Sequence, residues 1–315
     1  MPDKSETLLE VRGLVTEFNL EQGVIAANAD VHIRVRAGET LGIVGESGSG
    51  KSVLCRAILR LIPSPPGRIS AGEVLFDGID LLSLSEAEIR RVRGTRIKMV
   101  FQNPMTSLNP VRRIGDQITE GLRVHFGMGK AEARAEGVEL LRRVGIPSPE
   151  MRVREYPHQW SGGMLQRAVI AMAMAGEPQL LLADEPTTAL DVTIQDQILA
   201  LLLELQERTH MAMLLVSHDL AVVAETCDQV AVMYAGRIME SASTKALFDA
   251  PMHPYTVGLM NSIPDMNGAA ERLVPIPGQP PDLLHLAPGC PFAPRCTYAS
   301  PDCANTPITL SEVAP

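Results

Sequence analysis

"TLGIVGESGSGKSVLC", residues 40–55, decides how the chain is read. Its first part, "TLGIVG", is the continuous apolar run of a strand buried on both faces. The run enters a glycine-rich turn and then an amphipathic stretch read as a helix over 51–62. The turn is Gly45, Glu46, Ser47, Gly48, Ser49, Gly50, Lys51 and Ser52. Its spacing is that of a phosphate loop, and it sits between strand and helix, where the spacing has a mechanism. The glycines let successive N–H groups converge on phosphates at the helix N-terminus. Lys51 would reach the β- and γ-phosphates, and the Ser52 hydroxyl would hold Mg²⁺. A nucleotide with Mg²⁺ is therefore the expected ligand, against the alternative of a chance glycine-rich turn.

Working outward, residues 8–18 and 31–36 alternate or are rich in β-formers, which predicts antiparallel strands. "GEVLFDGIDL" (72–81) is a further strand closed by an Asp-Gly turn. Helices are expected over 130–145 and from Ser161 to about Ala175. "QLLLADEP" and "MAMLLVSHD" are apolar runs ending in polar residues, as buried parallel strands do at their carboxyl ends. "DQVAVMYAGRIMES" (228–241) reads as a hairpin through "AGR". Strands alternating with helices predict an α/β fold with a mostly parallel core sheet and an antiparallel β subdomain. Thirteen of the 24 prolines lie in the last 65 of the 315 residues, so long helices and central strands are excluded there. The expected organisation is one nucleotide-binding α/β domain over 1–250 and a loop-rich, Pro/Cys-rich extension over 251–315.

Composition narrows the function classes. With 28 basic and 37 acidic residues the formal charge is −9, which argues against a nucleic-acid partner, since that needs a basic footprint. No apolar run reaches the 18 residues of a membrane span. The N-terminus "MPDKSETLLEV" lacks the apolar core of a secretory signal. A cytoplasmic protein is expected, in which cysteine clusters bind metal more often than they form disulfides.

Two further stretches carry chemistry. In "WSGGMLQR" (160–167), Ser161 can cap a helix opening with Gly162 and Gly163, with Trp160 placed to staple onto Leu165. Two glycines there weaken the helix, by roughly 1 kcal/mol each at interior positions. That cost is understandable if a phosphate must approach the backbone; an ordinary helix start is the alternative. In "LLLADEP", Asp184 and Glu185 stand at the end of a buried strand, where α/β folds place ligands. One carboxylate can hold a metal while its neighbour polarises a water. His218 also ends a buried strand, a place where histidines are more often structural.

The series "GESGSGKS", "FQNPMTSLNP", "SGGMLQR", "LLLADEPTTALD" and "SHDLAVVAE", in this order, resembles the ATPase subunits of ABC transporters. Its wording, with "HPYT" at 253–256, is most similar to the ATP-binding proteins of bacterial dipeptide, oligopeptide and nickel importers. The resemblance implies a role for each matching residue. Phe18 would stack on adenine, Gln102 would sense Mg²⁺ and the γ-phosphate, and Asp184 would hold Mg²⁺. Glu185 would be the general base, His218 would orient the attacking water, and Asp191 would communicate across a dimer. Ser161, Gly162 and Gly163 would bind the nucleotide of a partner ATPase, closing a head-to-tail dimer. Residues 103–176 would form a helical subdomain docking on membrane subunits. The implied partners are a second, related ATPase subunit in a heterodimer, two transmembrane permeases and, indirectly, an extracytoplasmic binding protein. The implied place is the cytoplasmic face of the bacterial inner membrane. Trp160 departs from the family's usual Leu, and Met164 from the common Gln. A soluble ABC ATPase acting on DNA or ribosomes would carry heptad insertions or a second cassette, and neither is present; the intact Asp184–Glu185 pair disfavours a non-hydrolysing sensor.

Cys290, Cys296 and Cys303 are spaced C-x₅-C-x₆-C in the proline-rich segment. Such a unit has little core of its own and usually needs a metal or cross-links. The spacing lacks the C-x₂-C pairs of common zinc sites. It resembles the C-terminal motif of peptide-importer ATPases in which four cysteines hold a [4Fe–4S] cluster. The fourth lies further on in the family, and only three are present here. A [4Fe–4S] cluster completed by an outside ligand or His285 is expected; zinc on three Cys and one His, or free thiols, are the alternatives.

Overall fold

The computed structural model describes residues 6–188, 190–262 and 275–313. They fall into two compact units. One is Ser83–Val216 with Arg36–Glu39; the other is Thr7–Val35, Thr40–Leu82 and Ser217–Pro315.

The second unit contains the phosphate-loop stretch. Its antiparallel sheet runs in the order Gly23–Arg36, Thr7–Leu20, Gly67–Phe76 and Ile79–Asp80. On Thr7–Leu20 the buried side chains are Leu9 and Val11, then Leu14 and Thr16. The alternation slips there because the register with Gly67–Phe76 shifts between Arg12 and Thr16. An extra residue in one strand returns the following side chains to the core face. Strand Thr40–Val44 is buried at every position and pairs parallel with Gln229–Tyr234, Leu41 opposite Gln229 and Val44 opposite Val232. Gln229–Tyr234 then turns back onto Arg237–Ser243, the hairpin expected at "AGR".

Helix Lys51–Ile58 buries Leu54, Cys55, Ala57 and Ile58. It ends before the expected residue 62, because Arg60 turns left-handed (φ 52°) and Pro63 follows. Each feature terminates a helix. The proline-rich segment shares this unit with the strands before residue 250. The rings of Tyr255 and Phe292 pack on Tyr234, with centroids 4.5 Å and 5.4 Å away. That aromatic cluster gives the segment the core that its own composition lacks.

In the first unit, strands Ile97–Val100, Leu180–Asp184 and Ala212–Ser217 pair in parallel, with Ile97 opposite Leu180 and Asp184 opposite Val216. Between Asn103 and Gly176 the chain forms helices and loops without a strand. Helix Lys130–Arg143 matches the expected 130–145. Helices Gly162–Met174 and Val192–Thr209 both start on a side-chain cap, Ser161 accepting from the Met164 N–H and Asp191 from the Ile194 N–H. Caps of this kind answer otherwise unpaired N–H groups and typically contribute about 1 kcal/mol.

Candidate nucleotide-binding site

The phosphate loop is shaped by close backbone approaches. Gly45 has φ 152°, and a Cβ there would stand 2.0 Å from the Met233 carbonyl oxygen. Gly50 has φ 106°, and its Cβ would stand 2.2 Å from the Ala27 carbonyl oxygen. Only glycine fits either position. Asn28 is fully buried on Gly23–Arg36, and its Nδ2 donates to the carbonyls of Ala27 (3.0 Å) and Gly50 (3.1 Å), fixing the end of the loop.

Lys51 is 4 % exposed. Its Nζ donates to the carbonyls of Gly45 (2.8 Å) and Glu46 (2.9 Å) and to Ser49 Oγ (3.3 Å). A polyphosphate is the kind of anion that a lysine ammonium at this place can bind.

The beginning of the loop is held by the C-terminal segment. The Glu46 N–H donates to the Tyr255 hydroxyl (2.8 Å). The Glu46 carboxylate accepts from Arg295 Nη1 (2.6 Å) and Nη2 (3.0 Å). His218 is exposed, directly after strand Ala212–Ser217 and before Asp219, which caps helix Leu220–Thr226. Phe18 is half-buried and lies opposite Gly67 in the antiparallel register. Its ring stands over that glycine, where a Cβ would meet Phe18 Cε1 at 2.9 Å.

In the first unit the acidic pair ends strand Leu180–Asp184. Asp184 is 1 % exposed. Glu185 is left-handed (φ 46°), and its N–H donates to the Val216 carbonyl (3.1 Å). A non-glycine residue held in this conformation is strained by an amount on the order of 1–3 kcal/mol, and such strain clusters at functional sites. Gln102 Nε2 (2.9 Å) and Thr188 Oγ1 (2.8 Å) both donate to Glu185 Oε2. The structure thus joins Gln102 to Glu185, and adds Thr188.

Ser161 and Gly162 are exposed at the start of their helix, and Gly163 is half-buried. A Cβ on Gly163 would approach Ile194 Cγ2 to 3.0 Å. Packing against helix Val192–Thr209 is therefore a reason for glycine at 163 besides phosphate approach. Because Asp191 caps that same helix, the signature and the Asp191 turn share one contact. Trp160 is 7 % exposed and donates its Nε1–H to Glu155 (2.7 Å), so the departure from Leu is accommodated with its polar atom paired.

Taken singly, Asp184 and Gln102 on the first unit and Ser52 on the second each carry a hard oxygen donor of the kind that magnesium takes. The cysteines differ. Cys290 N–H donates to the Cys303 carbonyl (2.6 Å), so the two backbones face each other. Burial pushes the Cys290 thiol up, while the hydrogen bond with Ser300 draws the Cys303 thiol down. His285, considered as a fourth ligand, is bonded to Asp282 (2.8 Å). Among the described residues no group of three or more His, Cys, Asp or Glu is arranged to hold a metal ion. A [4Fe–4S] cluster takes four ligands, and the arrangement of the described residues gives the expected cluster at Cys290, Cys296 and Cys303 no support; all three are free thiols here.

Comparison with known proteins gives the family. The ABC transporter family matches residues 29–188. The chain belongs to that family. Residues 239–303 match a second family, the C-terminal region of oligopeptide and dipeptide transporters. A probable peptide ABC transporter ATP-binding protein of Sinorhizobium fredii is 53 % identical over 99 % of this chain and 93 % of its own length. The oligopeptide transport ATP-binding protein OppD of Escherichia coli is 48 % identical, over 99 % and 92 %. Among solved structures, a dimeric ATP-binding cassette in a post-hydrolysis state with ADP and Pi has a TM-score of 0.68 at 27 % identity. That likeness covers 75 % of this chain and 98 % of the other. The fold is the ABC ATPase fold and the cassette is an ATPase. Among the described residues no helix is long and apolar enough to cross a membrane.

Sequence reading missed four residues that shape the cassette's site: Asn28, Thr188, Tyr255 and Arg295. Thr188 sat inside "ADEPTTALD", Tyr255 inside "HPYT" and Arg295 inside "GCPFAPRC". For those three the signal was an unassigned polar residue within a family motif. Asn28 gave no signal.

Proposed function

We propose that this chain is the ATP-hydrolysing subunit of a peptide importer. The observation that carries the peptide reading is the match of residues 239–303 to the C-terminal region of oligopeptide and dipeptide transporters. The relatives' names point the same way, and they favour peptide over nickel as cargo.

In this reading Gly45–Ser52 hold the triphosphate, with Lys51 against the β- and γ-phosphates. Phe18 stacks on adenine. Ser52, Asp184 and Gln102 would hold magnesium, which when bound would neutralise phosphate charge. Glu185 accepts the proton of the attacking water, held in place by Gln102 and Thr188, and His218 orients that water. Ser161, Gly162 and Gly163 contact the nucleotide of a second ATPase subunit, and Asp191 carries the state of one site to the other. ATP favours the closed dimer through differential affinity, and hydrolysis releases it. Two permeases at the cytoplasmic face of the inner membrane receive that motion through residues 103–176. No step is assigned to the cysteines.

The test is uptake. Cells lacking this gene should fail to accumulate a labelled oligopeptide, and regain it with the wild-type gene but not with Lys51→Ala. Unchanged peptide uptake with lost nickel accumulation would move the cargo to nickel. Copurification with nucleic acid or ribosomes, without permeases, would end the transport reading.

A further inference from the structure

The C-terminal extension reaches the phosphate loop through Tyr255 and, on the side chain of Glu46, through Arg295. The Arg295 side chain is 6 % exposed and meets the Glu46 carboxylate, itself 26 % exposed, with two hydrogen bonds of 2.6 Å and 3.0 Å. Two further donors are used, Nε to the Pro277 carbonyl (2.8 Å) and Nη1 to the Tyr234 hydroxyl (3.1 Å). The guanidinium carbon lies 5.8 Å from the Tyr234 ring centroid and 5.9 Å from that of Phe292. A forked guanidinium engaged in this way is held in one geometry.

Its partner is the second residue of the loop. The Glu46 carbonyl accepts from Lys51, and the Glu46 N–H is taken by Tyr255. Without Arg295, a partly buried carboxylate would stand uncompensated on the second residue of the phosphate loop. It would repel the incoming polyanion.

We propose that Arg295 is a positioning residue of the nucleotide site: it neutralises Glu46 and fixes the first turn of the phosphate loop, so that ATP affinity depends on the docked extension. The proposal rests on the reading that Gly45–Ser52 bind the triphosphate. By linkage the dependence is reciprocal, so ATP must in turn hold the extension in place.

The test uses the full chain. Arg295→Gln keeps the shape and removes the charge; its Mg-ATP dissociation constant should rise about tenfold, the effect of one uncompensated charge beside a polyphosphate. The excess should shrink as salt is raised. Adding Glu46→Gln removes the unpaired carboxylate, so the double variant should regain most of the lost affinity. Wild-type affinity in Arg295→Gln, or a double variant as weak as the single one, would overturn the proposal; the second outcome would leave Arg295 as a support of the fold alone. Lys51→Ala serves as the control, since unchanged affinity there sinks the loop assignment and not Arg295. If Arg295→Gln does not fold, hydrogen exchange of the wild type decides. Saturating Mg-ATP should slow exchange across residues 290–303, and equal rates with and without nucleotide would refute the coupling.

Discussion

At the scale of single residues, Glu185 shows what the site demands. Its backbone is left-handed, its N–H is tied to Val216, and one carboxylate oxygen receives both Gln102 and Thr188. Gln102 and Thr188 orient the carboxylate that, in the proposed mechanism, takes the proton of the attacking water. In Glu185→Gln the amide can still be oriented but cannot take that proton. ATP binding should persist while hydrolysis falls by about 10²–10⁴-fold, the range expected for losing a general base. Single-turnover hydrolysis at near wild-type rate in that variant would remove Glu185 from the role. The acidic pair was legible because an apolar run ending in Asp-Glu announces a strand's carboxyl end. Thr188 was not, since a hydroxyl three residues on in an irregular turn leaves no periodic trace.

At the scale of elements, strand, loop and helix from Thr40 to Ile58 were readable because each follows from local chemistry: an apolar run, glycines, then amphipathic spacing. The slip in the Thr7–Leu20 alternation and the early end at Ile58 were not, since each turns on one or two backbone conformations. Gly45→Ala tests the loop's dependence on its neighbour strand. With φ 152° and a Cβ 2.0 Å from the Met233 carbonyl oxygen, the loop or strand Gln229–Tyr234 must move. A loss of about 2–3 kcal/mol is expected from such strain, together with loss of ATP binding, read by thermal melting and nucleotide titration. Helix Pro254–Met260 offers a pH test. Its cap His253 accepts the Tyr255 N–H at Nδ1 (3.1 Å), and a protonated ring could not. Burial holds the His253 pKa below its ordinary 6.5, against the opposing pull of Glu240. The unfolded chain therefore takes up the proton first. Stability present above pH 6.5 should be lost as pH falls through the window between 6.5 and that lower folded value. His253→Asn, which keeps an acceptor, should flatten the melting-temperature profile below pH 6.5; an unchanged slope would show that other groups set it.

At the scale of the whole molecule, the parts that could be read from sequence are those whose meaning is local, and the attachment of the C-terminal segment is not. Its prolines announce irregular chain, yet nothing in them points to a carboxylate 249 positions away. The same limit applies to the signature, whose proposed role lies on another subunit. Ser161 and Gly162 are exposed, and the Ser161 hydroxyl contributes a cap of 3.4 Å to the Met164 N–H, so an arginine at 161 has room in its own chain. Ser161→Arg should therefore fold and bind ATP like wild type, while its bulk and charge obstruct closure on a partner's γ-phosphate and steady-state hydrolysis is lost. Lys51→Ala is inactive for the opposite reason, having an intact signature and no grip on nucleotide. In a symmetric homodimer, an equal mixture of the two forms mixed dimers with one intact composite site. The mixture should then recover up to about a quarter of wild-type activity by random pairing. If the chain works only beside a different ATPase, the mixture stays inactive, and each variant fails separately when combined with that partner. Full activity of Ser161→Arg alone would show that the signature does not act across subunits.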